Sequence, residues 1–304
     1  MIRILMLDLG DTLIRDNVVL PHVTDALEAM GKFETASGDT LSLCLVSDFE
    51  MPTPPPTEQK IKAIFKEYRS LLDQLGLTKF FEPLDRHVTL STNAGVRKPD
   101  RRIFELAVER LGLMAGLQEC LFITENPDHI TACRALGMST LQFWEPGAAG
   151  ADFSEWSEAP LLVAHLVAPN SGKNMNIALS VRLAAAHGLE LVSVESAVPS
   201  THIHGRAKKW QPVTNPDRSE GESICVPLPV DVDIELDQSA HIRSVRVGEP
   251  DRELLNEAAA FIETLEANRQ LAHGSSPVPP GATHQLVTDK KGQTRLVRRR
   301  FTAI

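Results

Sequence analysis

The sequence predicts an α/β fold, with a doubly wound, mostly parallel sheet followed by a smaller α+β domain. Three observations carry that prediction. Short apolar runs, over the opening stretch up to Asp8 and over residues 41–47, 120–124 and 139–143, read as strands buried on both faces. Stretches of helical period separate them, as right-handed crossovers between parallel strands require. Beyond residue 168 the pattern changes to longer strand-like runs with few helices, which marks a second domain over 169–304.

Each element follows in order. The opening run is the first strand, residues 21–30 are a short helix, and 41–47 is a buried strand ending in the Ser47 hydroxyl. A Pro-rich connector over 51–56 feeds a helix that Thr57 caps and Gly76 stops. Its apolar stripe, Ile61, Ile64, Phe65, Tyr68, Leu71, Leu72 and Leu75, makes Tyr68 a core residue. A helix follows Pro99, with Ile103, Phe104, Ala107, Val108 and Leu111 inward and Gly112 at its end. Strands over 120–124 and 139–143 flank a helix over 128–136 that Gly137 closes. A Gly/Pro-rich shift at 145–150 and a helix over 157–167 complete a first domain of residues 1–168. The remainder reads as a helix over 175–187, strands near 189–194, 202–210, 223–236 and 241–247, a helix over 251–271, a linker at 275–281 and a hairpin of 283–287 with 294–301.

The formal net charge of −9 over 304 residues argues against a general affinity for nucleic acid or anionic membranes. No apolar stretch approaches the ~20 residues of a membrane span, and Asp8 interrupts the opening run before it reaches signal-peptide length. The expectation is a soluble, cytoplasmic protein. Cys44, Cys120, Cys133 and Cys225 lack metal-type spacing and lie in apolar contexts, which predicts buried free thiols.

The chemistry concentrates at strand and helix ends. The first strand delivers Asp8 to its carboxyl edge, followed by Leu9-Gly10-Asp11-Thr12-Leu13. Ser47 closes the second buried strand. Lys98 stands in Gly95-Val96-Arg97-Lys98-Pro99-Asp100, at the mouth of a helix whose field favours an anion. Phe122-Ile123-Thr124-Glu125-Asn126-Pro127-Asp128 runs into Ala132-Cys133-Arg134-Ala135-Leu136-Gly137-Met138. Together, in this order, these stretches resemble motifs I to IV of the haloacid dehalogenase-like (HAD) hydrolases. The usual motif I is Asp-x-Asp-Gly-Thr-Leu, with the first Asp as nucleophile and the second as acid and base. Here the second Asp and the Gly are exchanged, so Gly10 occupies the acid/base position and Asp11 sits one residue late.

The resemblance implies a HAD-like fold and a phosphatase in which Asp8 is the nucleophile and Ser47 and Lys98 hold phosphoryl oxygens. It implies Mg²⁺ bound by Asp8, the Gly10 carbonyl and Glu125, with Asp128 as the alternative acid. A carboxylate and a phosphate repel, so a hard cation and a lysine must screen them while holding the group in line. Magnesium accepts such a set because it prefers oxygen ligands and keeps several waters. Asp11 is the stand-in for the missing acid. Without one, the alternatives are a slow phosphatase and a catalytically inactive binding or regulatory protein. A carbon–halogen hydrolase using the same aspartate is a third reading, against which the acids of motif IV argue. The short intervals after motifs I and III leave no room for a cap domain, which implies a bulky phosphorylated substrate or an accessory domain serving as lid or protein-partner surface.

Other features have plainer readings. His202 and His204 share one strand face but lack a third metal ligand at helpful spacing. Lys290, Lys291, Arg295, Arg298, Arg299 and Arg300 suit a charged edge strand rather than a nucleic-acid patch. Trp144, Trp156 and Trp210 read as packing or domain-interface residues.

Overall fold

The structure, a computed structural model, describes residues 1–51, 56–144, 150–195, 201–214, 223–274, 280–289 and 292–299. Most of the Pro-rich connector, the shift at 145–149, the linker at 275–279, and Lys290, Lys291, Arg300 and Phe301 lie outside them. The chain divides into two compact units. The first comprises Met1–Ala186 with the turn Asp237–His241, and the second takes most of the chain from His187 onward.

The first unit runs β1 (Ile4–Leu7), β2 (Ile14–Arg15), β3 (Val18–Val19), α1 (Val23–Met30), β4 (Ser42–Ser47), α2 (Glu58–Gln74), α3 (Leu84–His87), β5 (Val88–Leu90), α4 (Ser91–Ala94), α5 (Arg101–Leu111), β6 (Cys120–Thr124), α6 (Pro127–Ala135), β7 (Ser139–Gln142), α7 (Ala159–Val167) and α8 (Gly172–His187). Its main sheet has the order β5-β4-β1-β6-β7, and every pairing is parallel. Successive strands step outward from β1 on one side and then, from β6, on the other, so the winding reverses between β1 and β6. That reversal opens a crevice at the strands' carboxyl ends. Leu7 lies opposite both Leu45 and Ile123, so Asp8 and Thr124 leave the sheet side by side, with Ser47 at the next strand end.

Both faces of the sheet are buried, which is why its strands read as continuous apolar runs. On one face Ile4, Met6, Cys44, Val46, Cys120 and Phe122 pack against Ile103, Phe104 and Ala107 of α5 and Cys133 of α6. Phe104 meets Phe122 edge to face at 5.2 Å. On the other, Leu5, Leu7, Leu45, Leu121 and Ile123 are equally inaccessible. All four cysteines are free and buried, as expected. Burial pushes the Cys133 thiol up to about 12, so it stays protonated and inert.

Three features depart from the sequence reading. The edge strand β5 and the ribbon β2–β3 have only three and two residues per strand, too few for a periodic signal. Helix α8 belongs to the first unit rather than the accessory domain, which moves the division from residue 168 to Ala186. Its buried Asn174 clamps the Glu34 backbone, accepting from the N–H at 2.9 Å and donating to the carbonyl at 2.7 Å. Arg182, on the same helix, donates to Glu155 at 2.5 Å and Glu158 at 3.0 Å. Such polar anchors carry no hydrophobic period.

The second unit comprises β8 (Leu189–Val194), β9 (His202–Thr214), β10 (Ser223–Leu236), β11 (Ile242–Val247), α9 (Arg252–Ala267), β12 (Leu271–His273), β13 (His284–Thr288) and β14 (Thr294–Arg298). The sheet order is β12-β13-β14-β10-β9-β8, with β11 also on β10. Ala258, Ile262 and Leu265 of α9 pack on Val213, Ile224, Val226, Leu228, Leu286 and Leu296. Here β14 is not the edge strand its charges suggest. It lies between β13, antiparallel, and β10, parallel through Ile224 and Cys225. Its Arg295 is half-buried, stacked 5.0 Å over Trp210 and paired with Asp289 at 2.9 Å. His202 and His204 are exposed on β9, and His204 pairs with Asp233. Among the described residues, no helix is long and apolar enough to cross a membrane.

Candidate active site

The crevice between β1 and β6 gathers most of the residues singled out above. Asp8 follows β1 directly, and its N–H donates to the Ile123 carbonyl at 3.0 Å, which fixes it at the strand junction. Its carboxylate is nearly enclosed. Oδ1 accepts the Leu9 N–H at 2.8 Å, and Oδ2 accepts the Thr124 hydroxyl at 3.0 Å. The Lys98 ammonium pairs with the same Oδ2, the two side chains being 1% and 9% exposed. In so little solvent an ion pair is weakly screened, and each partner depends on the other for compensation. Lys98 is held by its own backbone, whose N–H donates to Asp48 Oδ1 at 3.0 Å, one residue beyond β4. Its Nζ lies 5.6 Å from the centre of the Phe122 ring.

Glu125 enters from the end of β6. Its Oε2 accepts the Thr12 hydroxyl at 2.5 Å and lies 3.1 Å from the Thr124 hydroxyl. Thr124 thus stands between the two carboxylates, within hydrogen-bond distance of both. The Glu125 N–H returns to Thr12 Oγ1 at 3.2 Å, and the Thr12 carbonyl accepts the buried Trp156 Nε1 at 2.7 Å. The turn after β1 is therefore fastened to the end of β6. Asn126 caps α6, its side chain accepting from the Asp128 and His129 N–H groups at 2.9 and 3.4 Å.

Two expected residues stand apart. Asp11 has a φ of 52°, is exposed, and faces Arg15 at 3.5 Å, so its carboxylate is committed to solvent and a surface pair rather than to the centre. Asp128 is exposed in the first turn of α6, with no bond to the Asp8 group among the described residues. Gly10 presents only backbone. A Cβ built on it meets no atom within 4 Å, and its φ is not in the left-handed range.

A hard divalent cation fits the donor set that remains. Asp8 and Glu125 place two carboxylates one hydroxyl apart, with one lysine for two negative charges, and the Gly10 carbonyl follows Asp8 by two residues. These are oxygen donors of the kind magnesium prefers. Three acidic, histidine or cysteine side chains do not converge anywhere among the described residues, so backbone and water must complete any such shell.

The structure adds residues that the sequence reading left aside. Thr124 is a strand-end hydroxyl like Ser47, and that parallel was the available signal. Tyr68 is buried, with its ring 5.1 Å from Phe49 in an edge arrangement, and its hydroxyl lies beside Ser47 within the field of Asp8. Burial pushes its phenol well above the usual range. That hydroxyl is within reach of Ser47 but makes no aligned hydrogen bond among the described residues. His129 Nδ1 is enclosed and unpartnered. Burial, and then the Lys98 charge, hold its imidazole below the ordinary range against the opposing charges of Asp8, Asp48 and Glu125.

No family model and no curated protein matches the chain. Among solved structures, it is similar to a HAD-superfamily hydrolase from Ehrlichia chaffeensis, at 11% identity over 52% of this chain and 93% of that one, with a TM-score of 0.38. A HAD-family hydrolase from Deinococcus radiodurans, solved with bound phosphate and sodium, has 16% identity over 55% and 98%, with a TM-score of 0.37. The L-2-haloacid dehalogenase of Xanthobacter autotrophicus has 15% identity over 56% and 85%, with a TM-score of 0.33. These neighbours are HAD-superfamily hydrolases, matched over about half of this chain.

Proposed function

We propose that this protein is a Mg²⁺-dependent phosphomonoester hydrolase that works through an aspartyl phosphate. The observation that supports it is the enclosed Asp8–Lys98 pair at the carboxyl edge of a parallel sheet, with Glu125 one hydroxyl away. Asp8 attacks phosphorus, and its new bond forms as the bond from phosphorus to the leaving oxygen breaks. The leaving oxygen takes the electron pair and draws its proton from water, because Gly10 has no side chain to donate one. Water then attacks phosphorus, inorganic phosphate departs, and the Asp8 carboxylate is restored. Lys98 and the Ser47 hydroxyl balance the charge on the phosphoryl oxygens throughout. Magnesium, held by Asp8, Glu125 and the Gly10 carbonyl, would screen the repulsion between carboxylate and phosphate.

A placed general acid is worth ~10²–10⁴ in rate. Its absence confines efficient turnover to esters whose leaving groups depart without protonation. The substrate class is accordingly a phosphorylated molecule in the cytoplasm whose leaving group departs unprotonated, and a bulky one, because the short intervals after Asp8 and Lys98 hold no cap domain. An activated aryl phosphate with magnesium tests the reading: wild type is expected to hydrolyse it and Asp8→Asn is not, and equal rates in both overturn it.

A second reading is favoured by one observation, the engagement of Asp11 with Arg15. With no side-chain acid at the centre, the unit serves as a non-catalytic binding or regulatory HAD-like module. Any hydrolysis by wild type that Asp8→Asn abolishes removes this reading.

A further inference from the structure

The residue that the phosphatase reading leaves unused is Tyr68. It sits on the inward stripe of α2 between Ile64 and Leu72, and the whole side chain is 1% exposed. Its ring packs on Phe49, two residues past Ser47, which brings the phenol to the end of β4. The hydroxyl is inaccessible, beside Ser47, and without an aligned hydrogen bond. A phenol needing only packing would be as well served by phenylalanine, and an enclosed hydroxyl beside a second hydroxyl, with no aligned bond, is a pair whose donor and acceptor roles a ligand can set.

Ser47 is the acceptor within reach. A serine hydroxyl carries one proton and two acceptor lone pairs. If that proton points inward, at Tyr68, none is left for a phosphoryl oxygen. If Tyr68 donates instead, the serine proton is turned outward. We propose that Tyr68 is a positioning residue for Ser47: when an anionic phosphoryl oxygen occupies the site, the phenol donates to Ser47 Oγ and thereby directs the Ser47 proton onto the ligand. No proton changes owner; two hydrogen bonds form in series. Burial supports the direction of donation, because it keeps the phenol protonated far into alkaline solution. The inference rests on Ser47 being a phosphoryl-oxygen donor, as proposed above.

Because the chain has one tyrosine, a single label reports this group alone. The experiment uses the full chain with tyrosine isotope-labelled at the phenolic carbon, and inorganic phosphate as the probe. Tyr68→Phe is expected to weaken phosphate binding about 5- to 10-fold, the effect of one hydrogen bond. In a Ser47→Ala background the same substitution is expected to cost nothing more, because the group it acts through is gone. An equal loss in both backgrounds means that Tyr68 acts only through packing, and overturns the proposal. Ser47→Ala alone is expected to shift the phenol resonance; an unmoved resonance also overturns it. If wild type binds no phosphate, the phosphatase reading fails, and the resonance in Ser47→Ala still decides whether Tyr68 and Ser47 are paired.

Discussion

At Asp8 the enclosure on which the proposed chemistry relies also creates a structural liability. The carboxylate is compensated by one ammonium, one hydroxyl and one N–H, so Lys98→Met leaves a buried charge with two weak partners. Breaking one side of such a pair costs about 3–5 kcal/mol. Urea unfolding is expected to show a loss of that order in Lys98→Met and its partial recovery in Asp8→Asn/Lys98→Met, where no charge remains; a single variant as stable as wild type would mean that solvent reaches the pair. The neighbouring turn holds a second test. Position 11 carries the left-handed backbone that glycine favours, while position 10 has an ordinary φ and open space for a Cβ. The backbone at these two positions thus suits the order Asp-Gly, the reverse of the Gly-Asp that stands there. Gly10→Asp/Asp11→Gly is expected to fold at least as stably as wild type and to raise turnover of alkyl phosphates, at most by the ~10²–10⁴ of a general acid. Steady-state rates with alkyl and aryl esters measure it: a gain confined to alkyl esters identifies the missing proton donor, and no gain for either excludes it.

Among the elements, α6 shows how the sheet's carboxyl edge is shaped. Asn126 ends β6's excursion and starts the helix, so it sets where Glu125 can point. Asn126→Ala removes the cap, at a cost of about 1 kcal/mol by denaturant unfolding, while Asn126→Asp keeps the acceptor and is expected to restore most of it. Elements of this kind were legible in the sequence because local chemistry specifies them. Thr57, Asp100 and Asn126 cap the helices they precede, and the buried runs at β1, β4, β6 and β7 declare themselves by length and apolarity. What stayed hidden depends on distant partners. Arg295 and Arg298 read as an edge because their strand alternates charge, yet the parallel pairing of β14 with β10 joins residues about seventy positions apart. That pairing is short, and β10 itself explains why. Its odd-numbered backbone groups face β14 and β11, as the Gly248 N–H on the Asp231 carbonyl shows, so Pro227 and Pro229 withhold their donors on that edge between the two ladders. Periodicity likewise placed Tyr68 inward correctly but said nothing of the hydroxyl's neighbours.

For the whole molecule, one unit carries the whole proposed chemistry. The first unit brings Asp8, Ser47, Lys98 and Glu125 to the edge of one sheet, whereas the second has its own apolar core around α9 and no comparable cluster among its described residues. The resemblance of their stretches to four ordered motifs is what foretold their convergence, and a parallel sheet, which returns its strand ends to the same edge, is how the fold brings it about. The exclusion of Asp11 had a sequence signal, because neighbouring residues of an extended turn point in different directions, whereas that of Asp128 turns on one helix turn. A cation bound to the native fold and not to the unfolded chain must stabilise the protein by mass action, about 1.4 kcal/mol at ten times its Kd. Titrating magnesium against the thermal midpoint is therefore expected to raise it, a chelator to reverse the rise, and Asp8→Asn and Glu125→Gln each to diminish it, whether or not the site turns over. Asp128→Asn is expected to leave the rise intact because that carboxylate points into solvent. A rise insensitive to Asp8 and Glu125 would place the cation elsewhere, and no rise at all would separate this centre from magnesium and leave Lys98 as its only counter-charge.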